Sequence, residues 1–457
     1  MGVTALESPS LFLDARENRR QVNRILHGFP SPRFWQPDAL SVPEVLAGRT
    51  EFQPDRPPLQ LYIGVPFCIR TDPDRCGYCL FPVEVFEGAH QLDTYLDHLE
   101  LEGELFRPTF GEVELDSIYI GGGTPNLMRA EQCSRMIDII IGLFPDLAPS
   151  TSLTLEGIPQ LFTRAKLLHM RELGVNRISM GVQQVNTELN RLSGRRQTTK
   201  HVLDAVSWCR ELELQCNVDL IFGWPQQTID TMLRDLEQIV ALGVDHIAHY
   251  ELNIGGPSDF SLNRRSELPS PELTREMYRI ARDFLTSHGY RQLTAYDFQR
   301  TDEGDRFVYE ECGRTFERRE TWGWGFAAIT DAIREPDGVS CTYVNHRKVE
   351  EYYNAVRAGE YPMERGFVRS AGDHRMHALF RCLQGMSVDR RSYQSFFGVD
   401  VVDEFDEVWT ALVDRGWAEI APDEIVLRGD GVYHIPLIQE VLSRGRVDEL
   451  CSAAIGM

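Results

Sequence analysis

LYIGVPFCIRTDPDRCGYC, residues 61–79, is the stretch on which the reading of the whole chain turns. Tyr62 to Val65 is apolar and partly β-branched, which predicts a buried strand over 61–66, stopped by Pro66. Cys68, Cys76 and Cys79 follow at once, so three thiols are delivered to that strand's C-terminal end. Three thiolates with one short Cys-x-x-Cys step can hold three irons of a cubane cluster and leave the fourth iron open to another ligand. A Cys-x-x-Cys step also occurs in zinc knuckles and redox pairs. Zinc would want a fourth ligand close by, and the nearest histidine, His90, lies across a loop bearing Pro and Gly. A redox pair would have no use for Cys68, whereas the aromatic Tyr78 suits a covered cluster.

Composition narrows the field. A net charge of −22 disfavours nucleic acid or an anionic membrane surface as a partner, since phosphate binding needs a basic face. No apolar run reaches spanning length, and MGVTALESPS lacks the basic and apolar regions of a secretory leader, so a cytoplasmic location is expected. Seven further cysteines, at 133, 209, 216, 312, 341, 382 and 451, lack secreted-type spacing and read as reduced, mostly buried thiols.

From Leu61 onward short apolar strands alternate with amphipathic helices. Strands are predicted at 61–66, 116–121, 151–156, 177–182, 215–222 and 245–252, with helices at 92–107, 130–144, 163–173, 200–212 and 228–242. Gly174 and Gly243 fall where helix C-termini want a positive φ. Six such units give an α/β fold, a partial (β/α)6 barrel with ligands at the strands' C-terminal ends. Around it we expect an N-terminal arm at 1–58 with a helix over Ala15 to Leu26, and the barrel itself at 59–300. A helix at 272–288 and a strand-like Tyr290 to Phe298 lead to an irregular, aromatic connector at 301–369 that covers the barrel. A winged-helix-like segment is expected at 370–457; its acidic residues Asp400, Asp403, Glu404, Asp406 and Glu407 point to packing rather than DNA binding.

Four further motifs lie on this frame. SIYIGGGTPNLM (117–128) puts three glycines directly after a strand, where backbone can approach a ligand closely and free amides can grip a carboxylate. TLEGIPQ ends a strand on Glu156, a carboxylate able to accept from ribose hydroxyls or an ammonium. Gln183, Gly194-Arg195 and Asp219 lie on or after neighbouring strands and could face one mouth. Trp322 and Trp324 in TWGWGFAAITDA read as core, or as walls for a flat, apolar substrate.

Taken in order, Tyr62, Pro66, Phe67, Cys68, Cys76, Tyr78 and Cys79, then Gly-Gly-Gly-Thr-Pro, Glu156 and Asp219-Leu-Ile-x-Gly-x-Pro, resemble the radical S-adenosylmethionine (SAM) superfamily. Within it they resemble the oxygen-independent coproporphyrinogen III oxidase family. The family has three residues between its first two cysteines; seven stand here, so Thr71 to Arg75 reads as an insertion bulging into solvent. Ile158 and Gln197 depart from the family's Asn or Asp and its His.

The resemblance implies a [4Fe-4S] cluster on Cys68, Cys76 and Cys79. It further implies a SAM on the open iron beside Tyr62, Tyr78, Gly122 and Glu156, and a second SAM beside Gly123, Thr124, Gln183, Arg195 and Asp219. It also implies a small-molecule substrate and an electron donor such as flavodoxin or ferredoxin. The departures favour methyl or methylene transfer to a specialised metabolite. Oxidative decarboxylation of coproporphyrinogen III is the alternative within the class, and a cluster of cations around Arg195, Arg196 and Arg314 would favour it. Haem binding or delivery without catalysis is the alternative of another class.

Overall fold

The computed structural model describes residues 7–21, 28–47, 59–110, 113–145, 147–301, 320–334 and 338–455. Six parallel strands form its centre: β1 (Leu59–Val65), β2 (Leu115–Gly122), β3 (Ser152–Gly157), β4 (Arg177–Gln183), β5 (Gln215–Phe222) and β6 (His246–Glu251). Between them run α1 (Ala89–Phe110), α2 (Ala130–Leu143), α3 (Arg164–Glu172), α4 (Thr199–Glu211) and α5 (Ile229–Ala241). Their starts follow ordinary capping chemistry: Thr163, Thr198 and Thr228 each accept a first-turn N–H. Gly174 and Gly243 take φ of +94° and +67° where α3 and α5 end.

The sheet runs further than the sequence suggests. Helix α6 (Pro271–Ser287) is followed by β7 (Tyr290–Gln292) and β8 (Asp297–Arg300); the expected single strand is broken, and β8 pairs antiparallel with β6. Beyond β1, the segment expected to be irregular forms β9 (Thr321–Gly325), β10 (Ile329–Arg334), β11 (Val339–Asn345) and β12 (Met363–Val368). Strand β9 pairs parallel with β1, and the other three extend the edge antiparallel, completing a 12-stranded sheet. Aromatic and β-branched residues such as Thr342, Tyr343 and Val344 account for strand here, and the glycines of β9 had obscured it.

The arm departs from expectation at its helix, which is Pro9–Asp14 rather than a start at Ala15; residues 22–27 lie outside those described. Pro9 at the first helical position and a Ser8 side-chain cap favour that start. Gln36 exchanges both backbone hydrogen bonds with Gly366 (2.8 and 2.9 Å), which adds the arm to the outer edge at β12. In the C-terminal segment, Ser387–Asp389, Ala418–Ile420 and Glu424–Leu427 make a three-stranded sheet among short helices. Several of its acids are used in packing: Asp400 pairs with Arg390 at 2.7 Å, and Glu404 accepts from Arg375 and Tyr393, each at 2.7 Å. No described helix is long and apolar enough to cross a membrane.

Candidate active site

Side-chain parity on the parallel strands defines the interior. Among buried neighbours, each central strand carries a partly accessible side chain at its middle or C-terminal end: Tyr62, Tyr119, Glu156, Gln183, Asp219 and Tyr250. Register joins them into a wall. Tyr62 lies opposite Tyr119, with rings 6.0 Å apart and 14° from parallel; Glu156 lies opposite Ser179, and Asp219 opposite Gly181. One half of this wall is phenolic, and the other is acidic.

The acids are held close together. Glu156 accepts from the Gly122 N–H, and burial, with the Asp219 charge next, pushes it up to about 8. Burial likewise raises Asp219 to about 6, against the Asn217 hydrogen bond and the charges of Arg177 and Arg195. Gln183 sits at the bulge that closes β4, at φ +66°, a strained conformation for a residue with a side chain.

The glycine triplet works differently from the sequence reading. Its amides are not free: Gly123 N–H donates to Val65 O (2.7 Å), Thr124 N–H to Phe67 O (2.8 Å), and Gly122 N–H to Glu156. The glycines are needed because β1 is so near. A Cβ on Gly123 would stand 2.4 Å from Phe67 O, and one on Gly122 would stand 2.7 Å from Val65 O. The triplet therefore locks β2 over the end of β1, directly beneath the cysteines.

Those cysteines share one electrostatic neighbourhood. Cys68 Sγ lies 3.0 Å from the Thr124 hydroxyl, and Cys79 N–H donates to Cys76 O at 2.8 Å. Burial raises the Cys68 thiol and pushes Cys79 up to about 11, and the neighbouring sulfurs add to both shifts. Arg195, 7 % exposed, donates to Gly181 O (2.5 Å) and to Cys76; the Tyr78 and cysteine charges hold it protonated despite burial. Tyr78 lies among the same sulfurs and packs its ring on Trp224 (5.2 Å) and Phe260 (6.3 Å), which closes one side of the loop. Arg195, expected in a second cofactor site, stands beside the cysteines, where a guanidinium would balance thiolate charge.

The inserted residues only partly follow expectation. Asp72, Asp74 and Arg75 are exposed, but Thr71 is buried and the Asp72 backbone rests on Gly194, where a Cβ would meet Asp72 O at 2.4 Å. Gly77 N–H also donates to Ser193 O (3.0 Å), so the cysteine loop and the Ser193–Arg195 turn form one unit.

Trp322 and Trp324 do not line the mouth. They are 2 % and 0 % exposed and pack outward on Phe106, Phe110 and Phe144, while Gly323 stands opposite Tyr62. Arg196 is exposed, and Arg314 lies outside the described residues. Sequence reasoning passed over Tyr119, Tyr250, Ser179, Arg177, Asn217 and His246. Polar side chains at alternate positions of otherwise apolar strands, as in Arg177-x-Ser179 and Asn217-x-Asp219, are the signal that could have found them.

Three thiols at a strand end, a compensating cation and an acidic wall suit an iron–sulfur cluster beside a cationic cofactor. Among the described residues no group of His, Cys, Asp and Glu is arranged to hold a single metal ion. That is compatible with a cubane, whose ligand sulfurs stand farther apart than those around one ion. Residues 65–239 match the Radical SAM superfamily model, so the chain carries a Radical SAM domain.

The chain is similar to the oxygen-independent coproporphyrinogen III oxidase of Escherichia coli strain K12, at 28 % identity over 76 % of this chain and 77 % of that one. It is also similar to the heme chaperone HemW of the same strain, at 31 % identity over 52 % of this chain and 61 % of that one. The solved coproporphyrinogen III oxidase (HemN) of E. coli superposes with a TM-score of 0.78 over 93 % of this chain and 99 % of that one, at 24 % identity, which shows the shared fold. The superfamily implies a [4Fe-4S] cluster and SAM.

Proposed function

We propose that Cys68, Cys76 and Cys79 hold the cluster and that the enzyme then transfers a methyl or methylene carbon to a substrate with few carboxylates. When bound, the reduced cluster supplies the electron that splits SAM into methionine and a 5′-deoxyadenosyl radical. The chain's own residues bind, orient and shield. Arg195 offsets the thiolate charge, and Thr124 fixes the Cys68 sulfur through their 3.0 Å contact. Glu156 accepts hydrogen bonds from the ammonium or ribose groups of the SAM on the cluster, Asp219 from those of the second, and Tyr62 and Tyr119 flank the reacting face. Gly122 and Gly123 keep β1 and β2 close enough for this arrangement. Gln183 and Asp219 are the residues we assign to a second SAM.

The observation that carries the choice of reaction is the character of the wall. Among the described residues it presents phenols, two carboxylates and an amide, while its arginines, Arg177 and Arg195, are buried and engaged with protein groups. A tetracarboxylate would bring several charges to that surface. Oxidative decarboxylation is the second reading, and the relatives that match most of the chain's length support it. Product analysis separates the two. Carbon transfer yields 5′-deoxyadenosine together with S-adenosylhomocysteine, whereas decarboxylation yields carbon dioxide and no S-adenosylhomocysteine. Haem binding without SAM cleavage would overturn both.

A further inference from the structure

Beneath Asp219 the barrel floor is polar, although it is sealed from solvent. Asn217, 4 % exposed and two residues before Asp219 on β5, donates from Nδ2 to Asp219 Oδ1 (2.7 Å) and to Ser179 Oγ (2.8 Å). Both amide hydrogens are thereby spent, so its Oδ1 acts as an acceptor, and the group that meets it is His246 Nδ1. The Arg177 Nη2 lies 3.4 Å from the same nitrogen, and Asp297 Oδ1 lies 3.6 Å from His246 Nε2. Ser179, having accepted from Asn217, keeps its own hydrogen for the Tyr119 oxygen, with which it is also bonded. The polarity is thus fixed from Asn217 to Asp219, and from Asn217 through Ser179 to Tyr119.

We propose that Asn217 is a positioning residue for the cofactor site: its amide, oriented by His246, keeps the Asp219 carboxylate ionised and turned so that its other oxygen faces the barrel mouth. An apolar residue at 217 would fill the space and leave Asp219 Oδ1 buried without its donor. The charges that then act on Asp219 are Glu156 on β3, which opposes ionisation, and Arg177 on β4 and Arg195 after it, which favour it. Tyr119 on β2, His246 on β6 and Asp297 on β8 complete the titratable surroundings. The amide is the nearest of the favourable contacts, so without it Asp219 takes up a proton at a higher pH.

This inference rests on the assignment of Asp219 to SAM binding, and the test keeps the two apart. SAM binding to the full-length, cluster-loaded protein is measured by calorimetry from pH 6 to 9, and S-adenosylhomocysteine is titrated in parallel as a ligand that cannot be cleaved. Relative to wild type at each pH, Asn217→Leu should bind SAM on the order of 10-fold more weakly at pH 7 and recover most of the loss by pH 9. Asn217→Ser, smaller and better tolerated, should show the same pH-dependent loss if the leucine variant does not fold. Asp219→Asn should bind weakly at every pH, and adding Asn217→Leu to it should cost nothing more. Unchanged binding in Asp219→Asn would overturn the assignment of Asp219 itself. Weak binding there, with wild-type or pH-independent behaviour in the Asn217 variants, would overturn the positioning role alone.

Discussion

Strand β1 is flanked by two glycine-rich strands, and each ends on the same device. On one side the Gly122 N–H donates to Glu156; on the other, the Gly325 N–H donates to Glu102 of α1 at 2.8 Å. Burial pushes both carboxylates up, to about 8 and about 7. Their surroundings differ. Glu102 is 0 % exposed and fully occupied, accepting also from Tyr352 (2.7 Å) and Asn345 (2.9 Å), whereas Glu156 is partly accessible and shares the mouth with Asp219. A buried carboxylate holding a glycine amide is thus a structural brace on the outside of the barrel, and the same device at Glu156, partly accessible at the mouth, is the one we propose as a binding group.

The contrast can be broken at several points. The largest effect is expected at Gly325, which has φ +80° and where a Cβ would stand 2.3 Å from the Tyr95 hydroxyl and 2.8 Å from Gly64 O. Gly325→Ala should cost roughly 2 to 4 kcal/mol in chemical denaturation, because strain and a backbone clash act together. Trp324→Leu should lower stability by about 2 to 3 kcal/mol, from lost burial against Phe106 and Phe144, while leaving SAM affinity alone. A large change in SAM affinity would put that indole back in the mouth.

Titration sharpens the comparison. Glu102 in the folded protein has a value above its ordinary one, so between about pH 4.5 and pH 7 the folded state holds the extra proton, and stability falls as pH rises through that window. Glu102→Gln should remove roughly 2 to 3 kcal/mol of that slope, read from urea midpoints across the pH range, with SAM binding unchanged. The smallest stability effect and the largest binding effect should fall on the other brace. Glu156→Gln should leave the urea midpoint nearly unmoved at pH 4.5, where the folded carboxyl is already neutral, and weaken SAM binding on the order of 10-fold at pH 9, where an amide replaces an ionised acceptor.

The six βα units were legible because period-2 and period-3.6 patterns alternate from Leu61 to Glu251, and the predicted limits fall within a few residues of the observed ones. Strands β9 to β12 were not, since Gly323 and Gly325 dilute the strand signal and the partner of β9 is β1, some 260 residues away. Cys68, Cys76, Cys79 and Glu156 could be found from motifs, which record local order. Asn217, Ser179 and His246 lie outside those motifs: polar alternation marks them in the sequence, but which of them meet is a register between three strands, with Ser179 opposite Asn217 and Asn217 opposite His246. Arg195 was found, but its place beside the cysteines was not, because nothing in the sequence says that the turn at Ser193–Arg195 folds under the cysteine loop.

The central claim is that Cys68, Cys76 and Cys79 hold a cluster to which SAM binds directly. Its most direct test is electron paramagnetic resonance of the anaerobically reconstituted, reduced protein, with and without SAM, beside iron counts for wild type and Cys68→Ala. The account predicts about four irons per wild-type chain, a signal that changes when SAM is added, and loss of both in the variant. Full iron loading in Cys68→Ala, or a wild-type signal indifferent to SAM, would contradict it.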